Sequence, residues 1–455
     1  MNPTPMNPTS SPPTSRREFL KNTGQIAAIS TLAGAALPYV HAAEDNTIRL
    51  ALIGCGGRGS GAAVDAFESP NGPVRLVAMA DLFANRLETA YRSLSQKYAD
   101  RMDVPPERRF VGFDAYRRAI DYLRPGDVAM LAGYAAWRPV QLEYAVEKGV
   151  NVFMEKSFAC DPPGVRRIIK AGEAAATKNL KIAAGLMCRH SRNRQELIQR
   201  IRDGQLGEIQ LIRAYRMQSV GPMGKRPPQE KELTWQIRNF TSFLWVSGGL
   251  FAEMDIHQID EICWIKDSYP VAAHGIGGRA AHSTDCSQNL DSISVEWTFA
   301  DGTKATDVAR WLPNCHDEFA TYIHGTKCAA QFSGNVHAGT VQIFKDQRIA
   351  TDNVVWKAEP ERSSPWQAEW NVLLDAIRHD RPHNEAKRAA MSNLADMMGR
   401  AAVHSGKLIT WDEAMASNFR FCPSLDQLTD DSPPPVAADA EGRYPVPVPG
   451  EWTEI

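Results

Sequence analysis

A chain of 455 residues exceeds what one ordinary core organises, so two domains are expected behind whatever leaves the N-terminus. Its 51 basic and 53 acidic residues are interspersed and give a formal net charge of -2, which excludes a basic stripe for nucleic acid and leaves a small molecule as the expected partner. The eight cysteines, Cys55, Cys160, Cys188, Cys263, Cys286, Cys315, Cys328 and Cys422, contain no CxxC pair, so they read as isolated thiols rather than a zinc ribbon or a dense disulfide framework.

The first 43 residues differ in kind from the rest. A Pro-, Ser- and Thr-rich start leads to Ser15-Arg16-Arg17-Glu18-Phe19-Leu20-Lys21, then to a weakly apolar run over 25–40 and the small residues Ala42 and Ala43. That order matches a twin-arginine signal, cleaved near Ala42 or Ala43, which sends an already folded protein to the periplasm. Ser30, Thr31, Gly34 and Pro38 interrupt the apolar run, leaving it short of the ~20 apolar residues of a stable membrane span.

Over 44–188 short apolar runs at 48–53, 74–80, 128–131, 150–154 and 182–186 alternate with helical patterns at 86–98, 139–148 and 162–178. This spacing predicts a Rossmann-type, doubly wound parallel sheet. From about Arg189 the texture changes, with a helix over 192–203 followed by alternating segments at 210–218, 292–299, 304–311 and 319–323. Helical periodicity returns at 366–379 and 385–405. The region 189–415 is therefore expected to be an α+β domain on a large, mostly antiparallel open sheet, which suits a homodimer or tetramer. The proline-spaced residues 416–455 read as an extended surface tail.

Gly54-Cys55-Gly56-Gly57-Arg58-Gly59 directly follows the first strand and precedes a helix expected to begin near Gly61. Glycines so placed allow a tight turn, approach of a pyrophosphate to the backbone, and close packing of helix on strand. Asp81 ends the second strand about twenty residues further on, where an acid binds a ribose diol and repels a 2′-phosphate. NAD is thus the expected cofactor, with NADP open through Arg58 or Arg86.

The fifth strand ends in Glu155-Lys156, delivered to the mouth of that groove because ligands sit beyond the carboxyl ends of parallel strands. Ser247-Gly248-Gly249 leads a predicted helix that places Glu253, His257 and Asp260 on one face at i, i+4 and i+7. Two carboxylates and an imidazole on one apolar helix are costly to bury unless paired or working. They lack the second His or Cys of a typical zinc site, so no metal is expected.

With these elements the chain resembles the Gfo/Idh/MocA oxidoreductases from Thr47 to Ala414, the Gly325-Thr326 turn and Thr410-Trp411-Asp412-Glu413-Ala414 completing the match. The resemblance implies that Lys156 contacts a reacting hydroxyl, that His257 is the general base, and that Glu253, where many relatives carry Asp, helps to bind or relay. Glu155, Lys156 and Arg138 are expected at the cofactor, and His190, Trp235, Asp260, Lys156 and His257 at the substrate, with Tyr134 and Trp137 as further stacking candidates. Ser157 replaces a proline that often follows Glu-Lys with a cis bond, Arg138 stands where a His is common, and Gly133-Tyr134 replaces the usual Thr-Pro.

The expected chemistry is hydride transfer from a carbinol carbon of a sugar or cyclitol. Export adds a condition: with no sizeable NAD pool outside the cytoplasm, the cofactor must stay bound and the hydride must be returned. The alternative is then a redox-cycling glycosidase that oxidises C3, eliminates the aglycone across C2, adds water and re-reduces. A sugar-binding protein that kept the fold without catalysis is disfavoured by the presence of both Lys156 and His257.

Overall fold

The computed structural model describes residues 46–280, 283–334, 339–361 and 363–455, and the segment expected to be a twin-arginine signal lies outside them. From Thr47 onward the chain forms one unit built on two sheets. Strands β1 (Ile48–Ile53), β2 (Val74–Asp81), β3 (Arg109–Val111), β4 (Val128–Leu131), β5 (Asn151–Met154) and β6 (Ile182–Ala184) make the first, in the order β3-β2-β1-β4-β5-β6. Every pairing is parallel. The central strands are buried along nearly their whole length, which is why they read as continuous apolar runs rather than alternating ones. Strand order reverses between β1 and β4, opening a crevice at their carboxyl ends where such sheets bind ligands.

The second sheet has nine strands: β7 (Ile209–Met217), β8 (Ala272–Gly278), β9 (Ser292–Thr298), β10 (Lys304–Arg310), β11 (Glu318–Gly325), β12 (Ala329–Gly334), β13 (Gln342–Phe344), β14 (Val354–Lys357) and β15 (Ile409–Thr410). Their order is β14-β13-β12-β11-β7-β10-β9-β8-β15, antiparallel except where β10 runs parallel to β7. Alternate residues of β9 and β10 are buried, as expected of a sheet packed on one face only. The helix Ala386–Ser405 lies on β8 and β9 and also packs against the helix Pro162–Thr177 of the first layer, so it ties the two sheets together. The helix Pro365–Arg378 returns to the first layer, packing on the helix Gly57–Phe67 and stacking Trp370 on Phe153 at 4.4 Å. No helix among the described residues is long and apolar enough to cross a membrane.

Two expectations need correction. The helix after the glycine turn begins at Gly57 rather than near Gly61, so Gly59 is already helical. Residues beyond 416 are mostly irregular, yet they do not form a surface tail: Tyr444 packs edge-on against Phe243 at 4.6 Å, and Cys422, Leu428 and Glu454 are buried. All eight cysteines are free thiols, and only Cys315 is exposed.

Candidate functional site

The glycine turn is shaped by backbone constraints. Gly54 has φ +96°, and a Cβ there would stand 2.4 Å from the Gly133 nitrogen. A Cβ on Gly59 would meet the Gly54 oxygen at 2.0 Å, so helix and strand approach as closely as they do only without one. By contrast, Cβ atoms added at Gly56 or Gly57 would find nothing within 4 Å, leaving the backbone at the helix N-terminus open to a ligand. The Asp81 carboxylate braces the turn, accepting from Cys55 N at 2.7 Å and Phe83 N at 2.8 Å.

This turn opens into a cleft of about 710 Å³ lined by Gly54 to Gly59, Asp81, Arg86, Tyr134, Glu155, Lys156, Glu253 and His257. A recess of about 60 Å³ bordered by Gly54, Asp81, Tyr134 and Trp137 adjoins it. Asn85, Thr89, Met187, Phe240 and Trp366 complete the cleft walls without having been singled out in the sequence. Trp366 belongs to the helix that returns from beyond the second sheet, a placement that no local pattern announces.

Lys156 and Glu253 meet directly. Lys156 Nζ lies 2.6 Å from Glu253 Oε2 and donates at 2.6 Å to the Glu253 carbonyl oxygen. The loop bearing the lysine is held on several sides. The Lys156–Ser157 peptide is cis. Ser157 Oγ donates to Ala252 O at 2.7 Å, while Asn393 Oδ1 accepts from Phe158 N and Ala159 N at 2.9 and 2.8 Å. Arg58 is committed to acids, 2.9 Å from Glu155 Oε1 and 2.8 Å from Asp65 Oδ2. Arg86 donates to the Tyr134 hydroxyl and to Arg238 O and lies 5.1 Å from the Phe83 ring.

The predicted single helix is two. Gly249–Met254 carries Glu253, Ile256–Lys266 carries His257 and Asp260, and Asp255 stands at the junction. Glu253 and His257 both reach the cleft, whereas Asp260 does not line it. Instead Asp260 is buried in a two-pronged pair with Arg189, with contacts of 2.8 Å to each oxygen, and accepts from Ser392 at 2.7 Å. Burial pushes its carboxyl up, but Arg189 outweighs this and holds it below the usual range.

Four other expected contacts are also placed elsewhere. Arg138 is fully buried, donating to Leu131 O and, at 2.7 Å, to Gly133 O, so it fastens the loop after β4 from beneath; burial lowers it to about 10. His190 turns toward Glu385, 3.6 Å away, and Trp235 lies on the helix Glu232–Arg238; neither lines the cleft. Trp137 packs against Trp245 at 5.8 Å and reaches only the small recess. Among the described residues no group of three or more His, Cys, Asp or Glu is placed to hold a metal.

Beneath the helix junction lie three fully buried acids: Asp255, Asp307 of β10 and Asp396 of the long helix. Burial pushes Asp396 up to about 7, against the opposing pull of Arg400 and with help from Asp307, Glu253 and Glu454. An acid that binds its proton more tightly folded than unfolded contributes stability below its unfolded value, near 3.9, and loses it as pH rises toward 7. Asp396→Asn is therefore expected to raise stability relative to the parent by on the order of 2 kcal/mol at pH 8 and by much less at pH 5. Urea unfolding at the two pH values checks this, and an equal effect at both would contradict it.

Residues 195–331 match the family model described as the GFO/IDH/MocA C-terminal domain. Several solved structures share the fold. The aldose-aldose oxidoreductase of Caulobacter crescentus, complexed with glycerol, is 17% identical over 80% of this chain and 99% of its own, with a TM-score of 0.60. The scyllo-inositol dehydrogenase of Lactobacillus casei with bound NAD(H) and scyllo-inositol is 19% identical over 80% and 99%, with a TM-score of 0.59. The myo-inositol 2-dehydrogenase of Lactobacillus plantarum is 18% identical over the same shares, with a TM-score of 0.58. No curated protein matches the sequence. The sequence match thus reaches the GFO/IDH/MocA C-terminal domain over residues 195–331, and the fold is shared with these oxidoreductases along 80% of the chain.

Proposed function

We propose that this protein is an exported, nicotinamide-dependent oxidoreductase that moves hydride at a hydroxyl-bearing carbon of a sugar or cyclitol and keeps its cofactor bound. The observation that carries this reading is the convergence of Lys156, Glu253 and His257 in the cleft that begins at the open glycine turn. The bare backbone at Gly56 and Gly57 suits a pyrophosphate, and Asp81 suits a ribose diol. NAD is favoured over NADP because Arg58 is already paired with two acids and Arg86 is spent on Tyr134 and Arg238, beside the repelling charge of Asp81. When bound, the nicotinamide supplies the hydride acceptor. His257 takes the hydroxyl proton, Lys156 stabilises the oxygen as negative charge develops, and Glu253 fixes the ammonium.

Export by the twin-arginine segment would carry the cofactor along inside the folded protein, so the hydride must leave on a second substrate or return to the first. The name of the Caulobacter neighbour, with an aldose as both donor and acceptor, supports such a redox-neutral cycle. The test is to denature the purified protein, identify any released nucleotide by absorbance and mass, and then supply free sugars, cyclitols and aryl glycosides. Reduced cofactor accumulating on the protein with a free sugar or cyclitol supports the oxidoreductase. Aglycone release without net reduction reassigns it as a redox-cycling glycosidase, and protein without any nicotinamide nucleotide overturns both.

A further inference from the structure

We propose that Glu454 is a positioning residue for the active site, acting through Arg400 to join the two elements that carry Lys156 and Glu253; the word active rests on the function proposed above. Arg400 projects from the long helix Ala386–Ser405 and is 1% exposed, as is Glu454. Its guanidinium divides its donors among three partners. Nε donates to Glu454 Oε1 at 2.7 Å, NH2 to Cys160 O at 3.0 Å, and NH1 to Gly248 O at 3.3 Å. Cys160 ends the loop that starts at Lys156, and Gly248 leads directly into the helix of Glu253.

One planar cation thus bridges both halves of the Lys156–Glu253 pair from behind, and a fork of fixed geometry can do this where a lysine cannot. Gly248 is shaped to the contact: it has φ +88°, and a Cβ there would come within 2.6 Å of Arg400 NH1. Glu454 is itself held, with His404 Nδ1 3.1 Å from its Oε2 and Trp452 Nε1 donating to the same oxygen at 2.9 Å. Burial pushes the Glu454 carboxyl up, but Arg400 and His404 prevail and hold it well below the usual range, so it stays charged. Two other acids act on Arg400: Asp396, on the Arg400 helix itself, and Asp161, next to Cys160. Glu454 is the acid that accepts a hydrogen bond from the guanidinium, at 2.7 Å, and without it the orientation that spans Cys160 and Gly248 is no longer imposed.

Hydrogen exchange measured residue by residue on the purified full chain tests this without substrate or nucleotide. Glu454→Ala is expected to speed exchange about tenfold or more at residues 157–160 and 248–254. The isosteric Glu454→Gln, retained in case the alanine variant does not fold, should show the same pattern more weakly. Trp452→Phe, which removes one hydrogen bond to Glu454 but keeps its pair with Arg400, should speed exchange at 440–455 and change 157–160 and 248–254 far less than Glu454→Ala does. Arg400→Lys should reproduce the Glu454→Ala pattern, and the double variant should go no further than either single one, because both act on one linkage. Among folded variants turnover should fall with KM little changed. Faster exchange confined to 440–455 in the Glu454 variants, or additive effects in the double variant, would overturn the assignment. Absence of a nicotinamide nucleotide from the protein would instead remove the catalytic reading and leave the linkage standing.

Discussion

Lys156→Met is expected to cut turnover by about 10²- to 10³-fold while the protein still carries its nucleotide. On the proposed function the ammonium stabilises the oxygen that becomes negative as the carbinol loses its proton, and a thioether offers nothing to that charge. Removing it also leaves Glu253 without the cation 2.6 Å away, which adds a structural component to the loss. The lysine side chain is 20% exposed, which tempers the penalty for a stranded partner to about 1–2 kcal/mol, below that of a fully buried pair. Lys156→Met combined with Glu253→Gln separates the two effects. The double variant should regain stability in urea unfolding but not turnover, because the carboxylate no longer needs a partner and the chemistry still lacks its cation. Turnover within about threefold of the parent in the single variant would refute the role given to Lys156.

The parts of the site that were legible in sequence are those whose logic is local. The glycine turn is written in one contiguous stretch, Gly54 to Gly59, directly after a strand, and Lys156 reaches the cleft because it follows a parallel strand. Asp260 and Arg138 misled for one shared reason. Each is a charged residue near a motif, and a buried charge must be either working or satisfied. Their satisfaction comes from partners outside the motif: Arg189 and Ser392 for Asp260, and the carbonyls of Leu131 and Gly133 for Arg138. Heptad-like spacing alone cannot tell the two cases apart.

The same limit applies to the fold. Strand β8, Ala-Ala-His-Gly-Ile-Gly-Gly, lacks the alternation of its neighbours because Gly275 and Gly277 lie against Val403, where added Cβ atoms would come within 2.6 and 2.5 Å. Small residues there let the long helix approach the sheet, a requirement set by residues more than a hundred positions away. Strands β3 and β15 have three and two residues, too few for any period to register. The break at Asp255 is hidden too, since its buried neighbour Asp307 belongs to β10.

His257→Gln is expected to lower turnover by about 10²- to 10⁴-fold, because an amide can hydrogen-bond the hydroxyl but cannot accept its proton. His257 stands just past the junction between the two short helices, buried, and lines the cleft with Lys156 and Glu253. Asp260 lies on the same helix but is turned into the Arg189 clamp, so it provides the control. Asp260→Asn should cost stability, since the buried guanidinium loses its countercharge, and should leave the turnover of the folded fraction nearly unchanged. The pair of variants therefore distinguishes chemistry from architecture on one helix: His257 moves the rate and Asp260 the unfolding midpoint. If Asp260→Asn instead abolished turnover in fully folded protein while His257→Gln remained active, the proton acceptor would have been placed on the wrong side of the helix.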